Sequence, residues 1–152
     1  MVATETQIEI LPIEQIEELY SIADEFISES KEYIPFNKEA FKNNWVNLYA
    51  AQAGQILYAH RDGVKIGVLG YLVYNDLLSG EPSAMETFWF VKKEYRGEGI
   101  KLLDEFENKS RSMGLSRVVM VHLSKLMPEK VKSIYLKRGY REIETSYVKE
   151  LI

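Results

Sequence analysis

The feature that most constrains the fold of this chain is the segment from residue 89 to residue 103, WFVKKEYRGEGIKLL. It opens with an aromatic and β-branched run that is typical of a strand, and two glycines, Gly97 and Gly99, follow an arginine. Beyond them, apolar residues recur at roughly helical spacing. These are Ile100, Leu103, Phe106 and Met113. The segment therefore predicts a strand, a tight glycine turn and the start of a helix.

A turn of this kind is suited to holding an anion. The first N–H groups of a helix have no partner within the helix, and the helix dipole adds positive potential there. Glycine lets a ligand approach the backbone closely, and phosphate is the usual occupant. A purely structural turn is an equal alternative on the glycines alone. A P-loop is excluded because no Gly-Lys pair occurs, and a dinucleotide fingerprint because Leu102 replaces its third glycine.

Composition excludes several other kinds of site. The net charge of -4 argues against nucleic-acid binding through a basic surface. The absence of cysteine excludes disulfides, thiolate metal sites and a cysteine nucleophile, and His60 and His122 form no metal-ligand pattern. The longest apolar run, residues 66–74, is too short to span a membrane, and no leader is visible. We therefore expect a cytoplasmic protein of one domain, residues 1–152, with no membrane partner.

The hydrophobic pattern gives the order of the elements. Strands are predicted at residues 6–11, 55–61, 65–74, 83–92, 116–123 and about 141–149. Helices are predicted from the stripe of residues 16–27, after the N-cap Asn37, after the glycine turn as far as Gly114, and at 129–138. A loop is expected at 28–36, and Asp62-Gly63 is a hairpin turn. This order predicts an α/β fold of the α+β kind, a mixed sheet with helices on both faces.

Three segments in this order resemble the GNAT-type N-acetyltransferases, which use acetyl-CoA. Residues 91–99 resemble the family's Val-x-Pro-x-x-Arg-Gly-x-Gly, residues 135–140 its Tyr-Glu-Lys-Leu-Gly-Phe, and residues 59–67 its Ala-x-x-Asp-Gly-x-x-Val-Gly. The likeness covers nearly the whole chain. It implies six to seven strands flanked by four helices, with a splay between the fourth and fifth strands. The helix start after Gly99 and the tail from Gly139 look most like members encoded by bacteriophages, which would place the protein in a host cytoplasm.

The resemblance also implies where acetyl-CoA binds. Pantetheine would pair with the backbone of Trp89, Phe90 and Val91, and the pyrophosphate would meet the N–H groups of the glycine turn. The residues of that turn are Arg96, Gly97, Glu98, Gly99, Ile100 and Lys101. Three positions depart from the family pattern: Lys93 replaces its proline, Glu94 stands where it usually has Gln or Arg, and Lys101 replaces a glycine.

Two side chains are candidates for the proton transfers that acetylation of an amine requires. Glu86 is the candidate base, because strand alternation would place it on one face with Phe88 and Phe90, where partial burial raises its pKa. A solvated or ion-paired Glu86 is the alternative. By the resemblance, Tyr135 is the candidate acid toward the departing thiolate, although its helical stripe also suits a core position. His122 is a second, weaker candidate for the base, and the N–H of Phe90 or Val91 would polarise the carbonyl.

The acceptor itself is not written in the sequence. We expect its slot between residues 28–36 and residues 79–85, where acidic and aromatic residues would suit a small or protein-borne cationic amine. They are Glu29, Glu32, Tyr33, Asp76 and Glu81. A catalytically silent GNAT-fold module that binds CoA or a host protein is the alternative function, favoured by Glu94 and Lys101. A homodimer is compatible with either.

Overall fold

Five strands form one mixed sheet in the order β1-β2-β3-β4-β5 in the computed structural model, which describes residues 5–30, 35–124 and 126–152. They are β1 (Gln7–Ile10), β2 (Gly54–Arg61), β3 (Val64–Asn75), β4 (Pro82–Val91) and β5 (Arg117–Val119). Neighbours from β1 to β4 are antiparallel, and β5 runs parallel to β4. The chain divides into two compact units, residues 1–121 and 122–152, and the sheet belongs to the first.

In the first unit, helices cover both faces of the sheet, as the sequence predicts. They are α1 (Tyr20–Ser30), which continues a 3₁₀ helix at Ile13–Leu19, α2 (Lys38–Ala50) and α3 (Gly99–Ser112). The second unit contains α4 (Pro128–Lys137). Trp45 of α2 contacts Phe88 of β4 on one face. Phe106 of α3 contacts Tyr71 of β3 on the other. Both Tyr71 and Phe106 are fully buried, so two hydrophobic layers enclose the sheet.

Local signals in the sequence place several boundaries correctly. The side chain of Asn37 accepts a hydrogen bond from the N–H of Ala40 at 2.9 Å, which caps α2. Asp62 and Gly63 both have positive φ, as the hairpin turn between β2 and β3 requires. Gly114, also at positive φ, follows the end of α3. The predicted helix after the glycine turn is thus confirmed at both ends.

The strand count was predicted too high. The part of the chain that the structure describes has five strands rather than six to seven. Residues 116–123 contribute only β5, and residues 141–149 form no strand. Apolar residues in alternating phase, such as Ile143 and Tyr147, favour the second expectation, but both side chains are exposed, so the hydrophobic pattern there is not matched by burial. The pairing of β4 with β5 ends at Met85 and Val119, where β5 itself ends, and the splay between these strands stays a prediction.

A β-bulge in β4 changes which face its residues occupy. Tyr71 pairs with Glu86 and Gly70 with Phe88, so Thr87 is an extra residue without a partner of its own in β3. Directly opposed residues of an antiparallel pair share a face, so Glu86 lies with Tyr71 on the α3 face. Phe88 lies with Gly70 on the α2 face, where it contacts Trp45. The prediction that Glu86, Phe88 and Phe90 share one face is therefore wrong.

Candidate functional site

The first component of the site is the edge of β4 beyond its ladder with β5. Among the described residues, that ladder ends at Met85, and no strand pairs with β4 on this side after it. The side chains of this stretch serve the core. Phe90 and Val91 are buried, and Phe26 of α1 meets the Phe90 ring edge-on at 5.5 Å. The edge therefore offers backbone hydrogen bonds from a strand that is itself rigidly packed.

The second component is the glycine turn, which is a 3₁₀ helix, Lys93–Glu98, running directly into α3. The N–H of Gly99 donates to the carbonyl of Arg96, so one of the N–H groups assigned to the pyrophosphate is already paired. The carbonyl of Gly99 accepts from the indole of Trp89 at 3.2 Å. This bond ties the start of α3 to β4.

The two glycines of the turn have different requirements. A Cβ on Gly99 would lie 3.2 Å from Cγ2 of Val91, a tight contact, so packing alone explains this glycine. A Cβ on Gly97 would meet no atom within 4 Å, and the backbone there is exposed and has no positive φ. Neither packing nor backbone conformation requires a glycine at position 97. A ligand that comes close to the backbone would explain it.

The cationic side chains around the turn are paired with acids of the chain. Arg96 contacts Glu29 of α1, donates from Nε to the carbonyl of Val91 at 3.0 Å, and lies over the Phe90 ring. Glu98 bridges Arg61 at 2.7 Å and Lys101 at 2.9 Å. The Lys101 ammonium, followed by a Thr6 hydrogen bond and the Arg61 charge, lowers the pKa of Glu98 against the opposing effect of burial. A bound phosphate would have to share these cations with two carboxylates.

Glu86 is 3% exposed and lies in the interior of the sheet. Its Oε2 has no hydrogen-bond partner among the described residues. Burial raises the pKa of this carboxyl well above its usual value of 4.5, because desolvation penalises the charged form. The solvated and ion-paired alternatives for Glu86 are therefore excluded by the structure. Its role as the base stays a prediction.

The candidate acid and the second candidate base both lie in the second unit of the chain. Tyr135 is 7% exposed on α4, and its ring lies 5.4 Å from that of Tyr140. Gly139 has a φ of +90° and follows the end of α4, as the resemblance to the family motif implies. His122 is exposed. That Tyr135 protonates the leaving thiolate stays a prediction.

The acidic residues proposed for the acceptor slot are engaged in other contacts. Glu29 pairs with Arg96, and Glu81 accepts from the hydroxyl of Ser116 at 2.8 Å. Asp76 pairs with Arg117 and accepts from the backbone N–H groups of Leu78 and Ser79, which lower the pKa of its carboxyl. The remaining two, Glu32 and Tyr33, lie outside the described residues. The three described acids thus hold the fold together at these positions.

An apolar cavity of about 140 Å³ lies between α1 and the sheet, and the sequence reading did not anticipate it. One wall is the face of α1 formed by Ile22, Ala23, Phe26 and Ile27. The opposite wall consists of Val68 of β3 with Thr87 and Phe88 of β4. In the sequence, the helical stripe of α1 indicates one wall of the cavity. The other wall depends on the bulge, which brings Thr87 and Phe88 to the same face.

Comparison with known proteins gives the chain its context. A sequence model described as the acetyltransferase (GNAT) family matches residues 13–140. A search of curated protein sequences finds no match.

Solved structures agree in fold at low identity. A ribosomal-protein-alanine N-acetyltransferase from Brucella melitensis biovar Abortus 2308 is 19% identical, with 97% of this chain and 99% of that chain aligned and a TM-score of 0.74. A predicted acetyltransferase with acetyl-CoA from Clostridium acetobutylicum is 14% identical over 97% of each chain, with a TM-score of 0.77. Glucosamine-6-phosphate N-acetyltransferase from Arabidopsis thaliana is 15% identical over 97% and 99%, with a TM-score of 0.70. Nothing in these comparisons supports the predicted bacteriophage-type membership.

Proposed function

Because the chain belongs to the acetyltransferase (GNAT) family, we propose that it uses acetyl-CoA and transfers the acetyl group to a primary amine, directly, with both substrates bound. The observation that carries this proposal is that the β4–β5 ladder ends at Met85 while β4 continues to the glycine turn. An extended ligand could pair with the edge as an added strand would. Its phosphates would then reach Gly97, where the absence of a side chain leaves the backbone open.

The residues would divide the chemistry as follows. Trp89, Phe90 and Val91 would bind the pantetheine chain through their backbone. Backbone N–H groups of the turn, with Arg96 and Lys101, would hold the pyrophosphate. A backbone N–H of Phe90 or Val91 would stabilise the negative charge that develops on the thioester oxygen. These roles need no side chain to leave the core.

Two proton transfers complete the reaction. Glu86 would take the proton that the attacking ammonium must lose, and its raised pKa suits a base that works near neutral pH. The C–N bond forms as the C–S bond breaks, and Tyr135 would return a proton to the departing thiolate. Protons and charges then balance, because the products are one amide, one free thiol and one proton that is finally delivered to solvent.

The decisive experiment measures the release of free thiol from acetyl-CoA over a panel of primary amines. We expect turnover with at least one amine, and mass spectrometry should find the acetyl group on its nitrogen. In that reaction, Glu86→Gln should lower kcat roughly 10²–10⁴-fold and remove the acidic limb of the pH–rate profile. Glu39→Gln, an exposed change of the same chemistry in α2, should retain the full rate. A full rate in Glu86→Gln at every pH would place the base elsewhere, with His122 next in order.

A second candidate function is a catalytically silent module that binds CoA. The burial of the Glu86 carboxyl favours it, because a base sealed in the core is not ready to receive a proton. Calorimetric binding of acetyl-CoA without thiol release on any amine would support this alternative over the enzyme. A cytoplasmic location, a homodimer and the lack of nucleic-acid or membrane partners remain predictions for either function.

A further inference from the structure

The cavity between α1 and the sheet is lined by hydrocarbon. Its α1 wall, Ile22, Ala23, Phe26 and Ile27, carries no polar side-chain atom, and neither do Val68 and Phe88 opposite. Among the described residues of the lining, the one side-chain hydroxyl, on Thr87, already donates to the carbonyl of Gly70 at 3.1 Å. A charged or strongly polar group would lose its hydration here and gain no hydrogen bond in return. The cavity therefore selects for apolar groups.

The β-bulge places this cavity beside the edge of β4 that the proposed function uses. Thr87 and Phe88 line the cavity with their side chains. Their backbone belongs to the stretch of β4 that follows the end of its ladder with β5. Thr87 is exposed, so the cavity reaches solvent at the bulge. The far wall is held in place by packing, because Phe88 contacts Phe41 and Trp45 of α2. The Phe88 ring also fills the space over Gly70, where a Cβ would lie 2.5 Å from it.

The volume sets the size of the group. An engineered apolar cavity of about 150 Å³ accommodates benzene, so about 140 Å³ suits a six-membered ring or a chain of five to six carbons. Burial of each methylene raises the binding affinity roughly fourfold. A chain of five to six carbons that fills the cavity would therefore bind about two to three orders of magnitude more tightly than a methyl group.

We propose that this cavity binds a hydrocarbon group of the reacting pair, an alkyl or aryl group of about five to six carbons carried by the amine or by the acyl chain of the thioester. The inference rests on the proposed acyl transfer. It replaces the expected slot for a cationic acceptor by an apolar one, since two described acids of that region, Asp76 and Glu81, are engaged with Arg117 and Ser116. The reaction is unchanged: the amine nitrogen bonds to the acyl carbon as the C–S bond breaks, the thiolate takes up one proton, and one proton passes to solvent.

Two series of substrates distinguish the carriers. In the first, acetyl-CoA is combined with primary amines from ethylamine to hexylamine, with benzylamine, and with 1,5-diaminopentane as a charged chain of matched length. In the second, one amine is combined with acetyl-, butanoyl- and hexanoyl-CoA. We expect kcat/KM to rise roughly fourfold per methylene in one series, up to about six carbons. The charged diamine should gain nothing from its length.

The matched variants are Ala23→Leu, which fills the cavity from α1, and Ala50→Leu, the same change at an exposed position at the end of α2. Ala23→Leu should abolish the dependence of kcat/KM on chain length, whereas Ala50→Leu should behave as the native chain does. Should Ala23→Leu fail to fold, Ile27→Ala tests the same point in the opposite direction. It enlarges the cavity and should move the optimum to longer chains.

A binding measurement separates this inference from the proposed function. Hexan-1-ol is an unreactive probe of the cavity, and NMR titration should show it near Ala23 and Phe88 in the native chain and in Ala50→Leu, but not in Ala23→Leu. Turnover with no dependence on chain length, or with a preference for the diamine, would overturn the inference while the enzyme stands. Hexanol binding without any turnover would overturn the proposed function, and with it the assignment of the cavity to a reacting pair.

Discussion

A carboxyl group inside a hydrophobic layer lowers the stability of a protein whenever it is ionised. Glu86 is in this position, with Tyr71 as its cross-strand neighbour and with no partner for Oε2 among the described residues. The sequence singled it out correctly as an unusual acid on a buried strand. Its orientation toward α3 could not be predicted, because that depends on a register shift at Gly70 and Tyr71 of another strand.

Replacing this carboxyl should stabilise the protein in a defined range of pH. The folded-state pKa of Glu86 lies above 4.5, so the unfolded chain ionises first and stability falls as pH rises from 4.5 toward the folded pKa. Glu86→Gln removes this loss. We expect thermal unfolding to show a higher Tm than the native chain at pH 7–8, with the gap closing below about pH 4.5. A gap independent of pH would contradict the burial of an ionisable Glu86.

Gly97 gives the sharpest test of phosphate binding at the turn. Because a Cβ there meets nothing within 4 Å, Gly97→Val should leave the Tm close to that of the native chain. The same side chain would stand between a phosphate and the N–H groups, so calorimetry should detect at least a tenfold loss of CoA affinity. Gly99→Val is unsuitable because it would also strain the contact with Val91. Unchanged CoA affinity in Gly97→Val would refute the phosphate-loop assignment.

At the scale of elements, the N-cap of α2 stabilises the helix turn that contains Phe41, which contacts Phe88 of β4. Asn37→Ala removes the acceptor for the N–H of Ala40 and should cost about 1 kcal/mol of unfolding free energy. Asn44→Ala, an exposed substitution in the middle of the same helix, should be neutral or slightly stabilising, since alanine favours the helix. Chemical denaturation of both variants measures the difference. Equal stability of the two would contradict the capping bond.

The elements whose signals are local could be read from the sequence, and those that depend on partners could not. Asn37, Asp62-Gly63 and the glycine turn each encode a backbone geometry in adjacent residues. The extra residue Thr87 has no such signature, because a bulge is defined by what lies opposite it. Residues 141–149 have the alternation of a strand but no strand is formed there, since alternation predicts pairing only where a partner edge exists.

At the scale of the whole molecule, the surface is acidic, and the cations at the turn are offset by Glu29 and Glu98. We therefore expect no saturable binding of duplex DNA or single-stranded RNA at about 0.15 M salt, measured by fluorescence anisotropy. Binding that weakens steeply with added salt would indicate a basic surface that the charge distribution does not suggest.

The parts of the site, like the elements, differ in whether the sequence could predict them. The backbone edge of β4 and the turn follow from a contiguous segment, residues 82–99, which is why the sequence locates them. The cavity is built from α1, β3 and β4 together, and its volume depends on side chains far apart in sequence. The acidic acceptor slot stays a prediction, because the sequence does not show the partners of the described loop acids, which are Arg96, Arg117 and Ser116.

The pairing of Arg96 with Glu29 has a consequence for how the protein would respond to ionic strength. An anion that binds a bare arginine loses affinity as salt screens the attraction. Here an incoming phosphate replaces a carboxylate at the same guanidinium, so one ion pair is exchanged for another and the charge near the turn is already nearly balanced. Screening weakens both pairs together. Association with a phosphate ligand should accordingly depend only weakly on salt, and the Glu29 carboxylate that it displaces would be released from the C-terminal turn of α1, the helix that walls the apolar cavity.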